Sequence, residues 1–328
     1  MAIASAGIKS PSPMPKAASA RKFNGAMTKD LLGFDIGGTK CAVILGHADG
    51  DGIVIAKRIA FPTPAGPTAA LARMESAAKE LLDQSGARPH AIGISCGGPL
   101  DSRRGLIFSP PNLPGWDHVP VTDYLSKAFG LPAFLQNDAN ACAYAEWKWG
   151  AGKGVSSMVF LTFGTGLGAG FILDGRLYSG INDLAGEVGH IRLAEDGPVG
   201  YGKAGSFEGF CSGAGMVQLA RRQGLEARDA RQIFEAASAN NPAALQVVET
   251  TGHYLGRGLA MVVDLLNPEL IVIGSIFVRQ RDQLWPIAEK VLRAEALPRS
   301  LDACRVVPAA LGEQIGDYAA LSIATLNV

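Results

Sequence analysis

The chain has 328 residues, long enough for two cores, and its 48% hydrophobic and 18% charged content indicates a soluble globular protein. Lys+Arg and Asp+Glu are both 30, so charge gives no indication of a nucleic-acid or anionic-membrane partner, and no apolar stretch is long enough to span a bilayer. Five cysteines (Cys41, Cys96, Cys142, Cys211 and Cys304), odd in number and without a CxxC spacing, argue against a disulfide framework or a zinc knuckle and for reduced, buried thiols in a cytoplasmic protein.

Residues 1–29 are rich in Ala, Ser and Pro and contain Lys9, Lys16, Arg21, Lys22 and Lys29 but no acid. They lack a secretory apolar run. An organelle transit peptide, a disordered extension and an early start codon (Met14 and Met27 are available) all fit. Disorder without targeting is the reading adopted, and the segment is too short for a winged DNA-binding domain.

The stretch 31–45, LLGFDIGGTKCAVIL, is two apolar runs of strand length around a glycine turn, which reads as a β-hairpin. Gly37 and Gly38 let backbone N–H groups approach an anion, and Thr39 and Lys40 add a hydroxyl and a charge. Asp35 at the strand's end can hold Mg²⁺ beside a phosphate. An ordinary tight turn with a surface lysine is the competing reading.

Three strands are expected over 31–60 as a meander. A helix over 68–84 carries Leu71, Met74, Ala78, Leu81 and Leu82 on one face and stops at Gly86. Residues 90–96 read as a strand ending in the loop Gly97-Gly98-Pro99, and 109–116 (SPPNLPGW) is too proline-rich for regular structure. A helix over 121–129 and a strand over 132–135 lead to Gln136, Asn137 and Asp138, then a helix over 139–149.

After a linker at 150–154, residues 158–173 (MVFLTFGTGLGAGFIL) repeat the hairpin. Gly164-Thr165-Gly166 formally opens a GxGxxG dinucleotide fingerprint, but that needs a helix after the glycines, and the residues from Gly170 to Gly175 read as strand and turn. Two glycine hairpins, each leading a similar βα series, suggest a duplicated architecture with a nucleotide between the halves. A loop containing Glu187 and His190 runs to Glu208. Helices follow over 213–223 and 230–239, and a long one starts at Pro242 with the stripe Leu245, Val248, Leu255, Leu259, Val262 and Leu266. A buried strand over 270–273 closes at Gly274-Ser275. A helix over 283–294, a strand near Val306 and a helix over 317–326 complete an α/β chain with two similar lobes.

Asp138, where a strand gives way to a helix, can accept a proton from a substrate hydroxyl. Taken alone it is more often a helix N-cap. Glu187, His190 and Glu208 offer two acceptors and one switchable group, suited to gripping polyol hydroxyls. Exposed loop residues are the alternative, and His190 is also a possible metal ligand.

With these motifs in order the chain resembles the ROK family (repressors, open reading frames and sugar kinases) of the actin–hexokinase superfamily. FDIGGTK resembles its first phosphate motif, FGTGLGAG its second, QNDANA the segment bearing the catalytic Asp, AGEVGH the ExGH signature and IVIGS the adenosine-side motif. The resemblance covers nearly everything from Leu31 onward. It implies a two-lobed, ribonuclease H-like duplicated fold with a central cleft. The small lobe would span 30–140, completed by a helix at 316–328, and the larger lobe 141–315.

The implied reaction is phosphoryl transfer from ATP–Mg²⁺ to a sugar hydroxyl. Asp138 would be the general base. Gly98, Asn112, Asn137, Glu187, His190 and Glu208 would contact sugar. Asp35, Gly37, Gly38, Thr39, Lys40, Gly164, Thr165 and Gly166 would surround the phosphates and metal, with Gly274 near the adenosine. One departure stands out. Many members carry a CxCGxxGCxE zinc cluster after the ExGH histidine, and here its cysteine positions hold Val199, Tyr201 and Ser206. Without thiolates His190 cannot complete a closed tetrahedral site, so no structural zinc is expected. Packing by Val199, Tyr201 and Phe207 is expected to order the loop instead. The resemblance also implies a homodimer. Glucose is the expected substrate, with N-acetylmannosamine, N-acetylglucosamine and fructose as alternatives. Polyphosphate and ADP are alternative donors, and a non-catalytic sugar-sensing regulator is the reading from another class.

Overall fold

The computed structural model describes residues 29–48 and 52–326, and the expectations for residues 1–28 lie outside the described residues. Lys29, read from sequence as part of the extension, opens the first strand.

Strands β1 (Lys29–Ile36), β2 (Lys40–Ala48) and β3 (Ile53–Pro62) form the expected antiparallel meander. Helix α1 (Pro67–Ser85) starts on a proline and ends at Gly86, whose left-handed φ of 68° sends its N–H back to the Leu82 carbonyl at 2.8 Å. Strand β4 (Ala91–Cys96) pairs parallel with β1. After α2 (Val121–Phe129), β5 (Ala133–Asn137) pairs parallel with β4. The sheet order is β3-β2-β1-β4-β5.

The chain then passes through α3 (Asp138–Trp149) and repeats the plan. Strands β6 (Met158–Phe163), β7 (Leu167–Leu173) and β8 (Arg176–Tyr178) are again an antiparallel meander. Strands β9 (Leu270–Ile273) and β10 (Arg305–Pro308) extend β6 in parallel, giving the order β8-β7-β6-β9-β10. Order and strand direction match the first sheet, so the duplication inferred from the two glycine turns is present in the topology. The glycines of the formal GxGxxG lead into strand β7 rather than a helix, as the residues after them required.

Helices cover the faces. On the first sheet α1 buries Leu71, Met74, Ala78 and Leu81, with Leu82 half-buried beside them. The opposite face carries α10 (Ile315–Ile323), which approaches so closely that a Cβ at Gly93 would overlap the Ala320 carbonyl. Helix α3 lies on β6 and β7, and α3 and α10 meet between the two sheets along Ala141, Ala145, Ala319 and Ile323. The larger core lies under α4 (Phe207–Phe210), α5 (Gly213–Arg222), α6 (Ala230–Ser238), α7 (Pro242–Leu266), α8 (Ile276–Glu295) and α9 (Pro298–Asp302).

Helix α7 begins where Asn241 accepts the Ala244 N–H at 3.1 Å, one residue before Pro242. It buries Val248, Leu255, Leu259 and Val262. Leu245, assigned to the same stripe, is 45% exposed, because it sits at the rim of an uncovered groove between α7 and α8. Helix α8 starts seven residues before its expected beginning at 283, and a kink at Gln280 (φ −123°) breaks the periodicity that would have shown the first turn. No helix among the described residues is long and apolar enough to cross a membrane.

Candidate active site

The parallel strands β1, β4 and β5 deliver their carboxyl ends to one edge of the sheet. Ile36 lies opposite Cys96, and Cys96 opposite Asn137. Asp35, Gly97-Gly98 and Asn137-Asp138, a hundred residues apart in sequence, therefore open onto the same crevice, the usual location of a site in such sheets.

The first glycine turn is tied down from β3. Thr63 donates its hydroxyl to the Gly37 carbonyl at 2.6 Å and its N–H to the Thr39 carbonyl at 3.0 Å, while the Gly37 N–H closes the turn on the Lys40 carbonyl at 3.1 Å. Gly38, Thr39 and Lys40 remain exposed to the cleft. The proline-rich loop folds down onto this turn. A Cβ at Gly38 would sit 2.5 Å from that of Asn112, so Asn112 is part of the assembly and glycine is required beneath it.

Asp35 is half-buried and its carboxyl is pushed up to about 7. Burial is the main cause, followed by the negative charges of Asp138 and Asp317, and Arg58 and Lys40 pull the other way. Asp317 belongs to the first turn of α10, is 6% exposed and accepts from Arg58 Nε at 2.8 Å. Gly316 brings the helix up to Asp35, where a Cβ would lie 3.1 Å from Oδ2. The Arg58–Asp317 pair was not legible in sequence, because its members come from an edge strand and the last helix and share no motif.

Asn137, not Asp138, caps α3. Its Oδ1 accepts the N–H groups of Ala139 at 3.0 Å and Asn140 at 3.3 Å. The cap reading of Asp138 is thereby corrected, and its physical cause is a one-residue difference in where the helix begins. With Oδ1 committed to the backbone, the Asn137 amide nitrogen faces Gly98, where a Cβ would lie 3.4 Å away. Asp138 stands at the first helical position. Its Oδ1 accepts the Ala139 N–H at 2.8 Å and its Oδ2 faces Gly97. Protein crowds it on all sides but the cleft, through which solvent reaches it. Burial raises its pKa above the usual carboxylate value, and the hydrogen bonds from its own and the Ala139 N–H offset part of that.

Across the cleft, Glu187 is also raised, first by burial and then by the charges of Asp138 and Glu208, while His190 lowers it. These four side chains form one electrostatic cluster. Glu208 does more than the sequence suggested. Its Oε2 accepts the Leu167 N–H at 2.9 Å, and a Cβ at Gly166 would lie 2.6 Å from that oxygen, so it also braces the second glycine turn. His190 is exposed and meets the Tyr201 ring edge-on at 5.7 Å.

The loop after His190 is not held as expected. Phe207 is buried, but Val199 and Tyr201 are 45% and 59% exposed. Polar contacts order it instead. Val199–Gly200 pairs with Lys203–Ala204 as a short ribbon, and Gln218 binds both the N–H and the carbonyl of Val199, at 2.9 and 2.8 Å. Ser206 donates to the Gly200 carbonyl at 3.2 Å and caps α4 through the Gly209 N–H at 3.0 Å. At a solvent-facing ribbon Val199 and Tyr201 can bury little surface, whereas a fixed amide can satisfy its backbone.

Beside the second turn lies a cavity of about 1180 Å³ between α5, α6 and α8. Thr165, Ser275, Ile276 and Phe234 line it, and Arg221 and Arg228 stand at its wall. The Gly213 N–H ties the start of α5 to the Gly164 carbonyl at 2.8 Å. Gly274 is not part of the lining. It backs onto Phe160, and the next residue, Ser275, reaches the cavity. Ser275 has φ 55° and ψ −115°, a conformation that favours glycine, and it occupies the N-cap position of α8 without capping it. Ser275→Gly is expected to raise stability by about 1 kcal/mol in urea unfolding, relief of strain outweighing glycine's unfolded-state entropy, and Ser275→Ala should show no gain.

The chain matches the ROK family over residues 31–326. It is 34% identical over 256 residues to a glucokinase of Halalkalibacterium halodurans, covering 73% of this chain and 77% of that one. It is 36% identical over 245 residues to an N-acetylmannosamine kinase of Citrobacter koseri, covering 74% and 82%. Among solved structures, the ROK hexokinase from Thermus thermophilus superposes with a TM-score of 0.79 at 33% identity, over 92% of this chain and 98% of that one. A ROK family glucokinase from Streptomyces griseus, in complex with glucose and AMPPNP, gives 0.73 at 28%, over 90% and 99%.

Proposed function

The chain belongs to the ROK family and is a sugar kinase of the actin/hexokinase-like fold, and from that premise we propose that it transfers the γ-phosphoryl group of ATP to a glucose hydroxyl. One observation carries this reading. Asp138, a carboxylate that is not the N-cap of α3 and keeps one oxygen toward Gly97, stands between a glycine turn with an acid behind it and the cluster of Glu187, His190 and Glu208. The glucokinase relative and the glucose complex of the Streptomyces protein support the choice of sugar.

In this proposal Asp138 accepts the hydroxyl proton as the oxygen attacks phosphorus. Asn137, with its oxygen fixed by the helix cap, presents N–H to a sugar oxygen. Gly98 and Asn112 close one side of the sugar, and Glu187, His190 and Glu208 grip hydroxyls on the other. Gly37 and Gly164 spend their N–H groups closing the two turns, on the Lys40 and Gly166 carbonyls, and hold the amides of Gly38, Thr39, Thr165 and Gly166 toward the phosphates, with Lys40 adding charge. The nucleoside would enter the cavity past Ser275, with Gly274 behind it and Ile276 and Phe234 as its apolar walls. Mg²⁺ would neutralise phosphate charge when bound with ATP, and Asp35 fits it, since such ions take one or two carboxylates and the phosphates. Because Val199, Tyr201 and Ser206 stand where the zinc-binding thiolates would be needed, the proposal includes no structural zinc. A homodimer in the cytoplasm is part of the same reading.

The test is a coupled assay with ATP over glucose, mannose, fructose, N-acetylmannosamine and N-acetylglucosamine. Glucose should give the highest specificity constant. A higher value for N-acetylmannosamine would replace the substrate. Turnover with polyphosphate or ADP but not ATP would replace the donor. Silence on every sugar, with tight sugar binding by calorimetry, would restore the regulator reading.

A further inference from the structure

Glu146, in the last turn of α3, is fully buried and takes no part in the chemistry above. Its two carboxylate oxygens are divided between two distant pieces of chain. Oε2 accepts the Ala151 N–H at 2.8 Å, and Oε1 accepts the Leu311 N–H at 2.9 Å. Ala151 lies where the chain leaves α3 to enter the second sheet. Leu311 lies where it leaves that sheet to return through α10. The main-chain carbonyl of Glu146 also receives the N–H groups of Gly150 at 3.0 Å and Gly152 at 2.9 Å. Gly150 leaves no room for a side chain, since a Cβ there would overlap Oε2. Both crossings between the two halves of the molecule are thus fastened to one residue.

The surroundings fit a moving joint. Helix α3 is locked to the second sheet, because a Cβ at Gly170 would lie 2.6 Å from that of Ala143 and 2.5 Å from the Ala139 carbonyl oxygen. Helix α10 is locked to the first sheet at Gly93. Relative motion of the halves must therefore occur along the seam between α3 and α10. That seam is lined by Ala141, Ala145, Ala319 and Ile323, and the three alanines are small side chains over which one helix can shear past the other. Among the hydrogen bonds that cross it are Glu146 to Leu311, Trp149 Nε1 to Ser322 Oγ at 3.0 Å, and one between the Tyr144 and Thr325 side chains, and of these only the first also fastens a chain crossing.

We propose that Glu146 is the pivot about which the cleft closes, and that through α3 it is a positioning residue for Asp138 at the other end of that helix. The inference rests on the reading of Asp138 as the base. An isosteric Gln at 146 can accept from only one of the two N–H groups, so one crossing is released without a change of volume. Glu146→Gln should fold, and its kcat per folded molecule should fall roughly 10- to 100-fold, with a smaller change in glucose KM, because the closed geometry is no longer unique. Glucose-induced compaction in small-angle scattering should be reduced or lost. A residue with only a structural role would lower the melting temperature and leave turnover per folded molecule and compaction unchanged.

The inference is overturned if folded Glu146→Gln compacts like wild type and turns over within about twofold of it. It is also overturned if wild type does not compact at saturating glucose. Should the variant not fold, hydrogen exchange on wild type decides. The Ala151 and Leu311 amides should stay protected with and without glucose, and free-peptide exchange at Leu311 in either state would reject the pivot. Absence of phosphorylation by wild type on every sugar would reject the kinase reading instead.

Discussion

Asp138→Asn is expected to fold, to bind glucose by calorimetry, and to lose turnover by roughly 10²- to 10⁴-fold, the usual contribution of a positioned general base. Asn is close in size and its oxygen can still accept the Ala139 N–H that Asp138 Oδ1 accepts at 2.8 Å. What it cannot do is take a proton. Stability should change little: the raised pKa of Asp138 favours the neutral amide, but solvent entering through the cleft screens most of that gain. The substitution also has an electrical signature that simple misfolding lacks. The charge of Asp138 contributes to the raised values of both Asp35 and Glu187, so its removal should lower the pKa of each. A carbon-detected titration of the two carboxyls, with turnover measured in parallel, checks both parts. Turnover within a few-fold of wild type would remove Asp138 from the role.

The parts of this architecture that were legible in sequence are those where one short stretch contains its own reason. Gly37-Gly38 and Gly164-Thr165-Gly166 each sit between two apolar runs, and each makes the hairpin expected of it. The α7 stripe follows from spacing alone, except at Leu245, where no neighbour covers the helix end. Features that depend on distant chain were not legible. Asp317 comes within electrostatic reach of Asp35 only because α10 returns to the first sheet, and Glu146 joins two crossings 160 residues apart. Asn137 and Asp138 are chemically interchangeable as caps, so a pattern of residue types could not decide between them. Ser275 was visible as the residue after a strand-closing glycine, but its left-handed backbone, and hence its presence at the cavity wall, belongs to the three-dimensional turn.

Asp35→Asn should separate stability from function at the same crevice. The carboxyl of Asp35 is pushed up to about 7 in the fold, against an ordinary value of 3.8. Between those two pH values the folded protein holds a proton that the unfolded chain has released. Stability therefore falls as pH rises through that window, and the full cost is present above about pH 7. The shift sets a ceiling of about 4 kcal/mol, and solvent at the cleft mouth reduces the expected cost to about 1–3 kcal/mol. Asn removes the charge and with it the cost. Urea unfolding at pH 8 should show Asp35→Asn more stable than wild type by that amount, while at pH 4 the two should be nearly equal. Arg58 would keep its partner, Asp317, so the gain should not be lost to an orphaned guanidinium. Turnover should fall about 10²- to 10³-fold, because in the proposed reaction the Mg²⁺ that would neutralise phosphate charge loses its carboxylate. A stability gain of the same size at both pH values would mean that packing, not ionisation, had changed. A variant less stable than wild type at pH 8 would mean that Asp35 is held by favourable contacts and is not a strained acid kept for its charge.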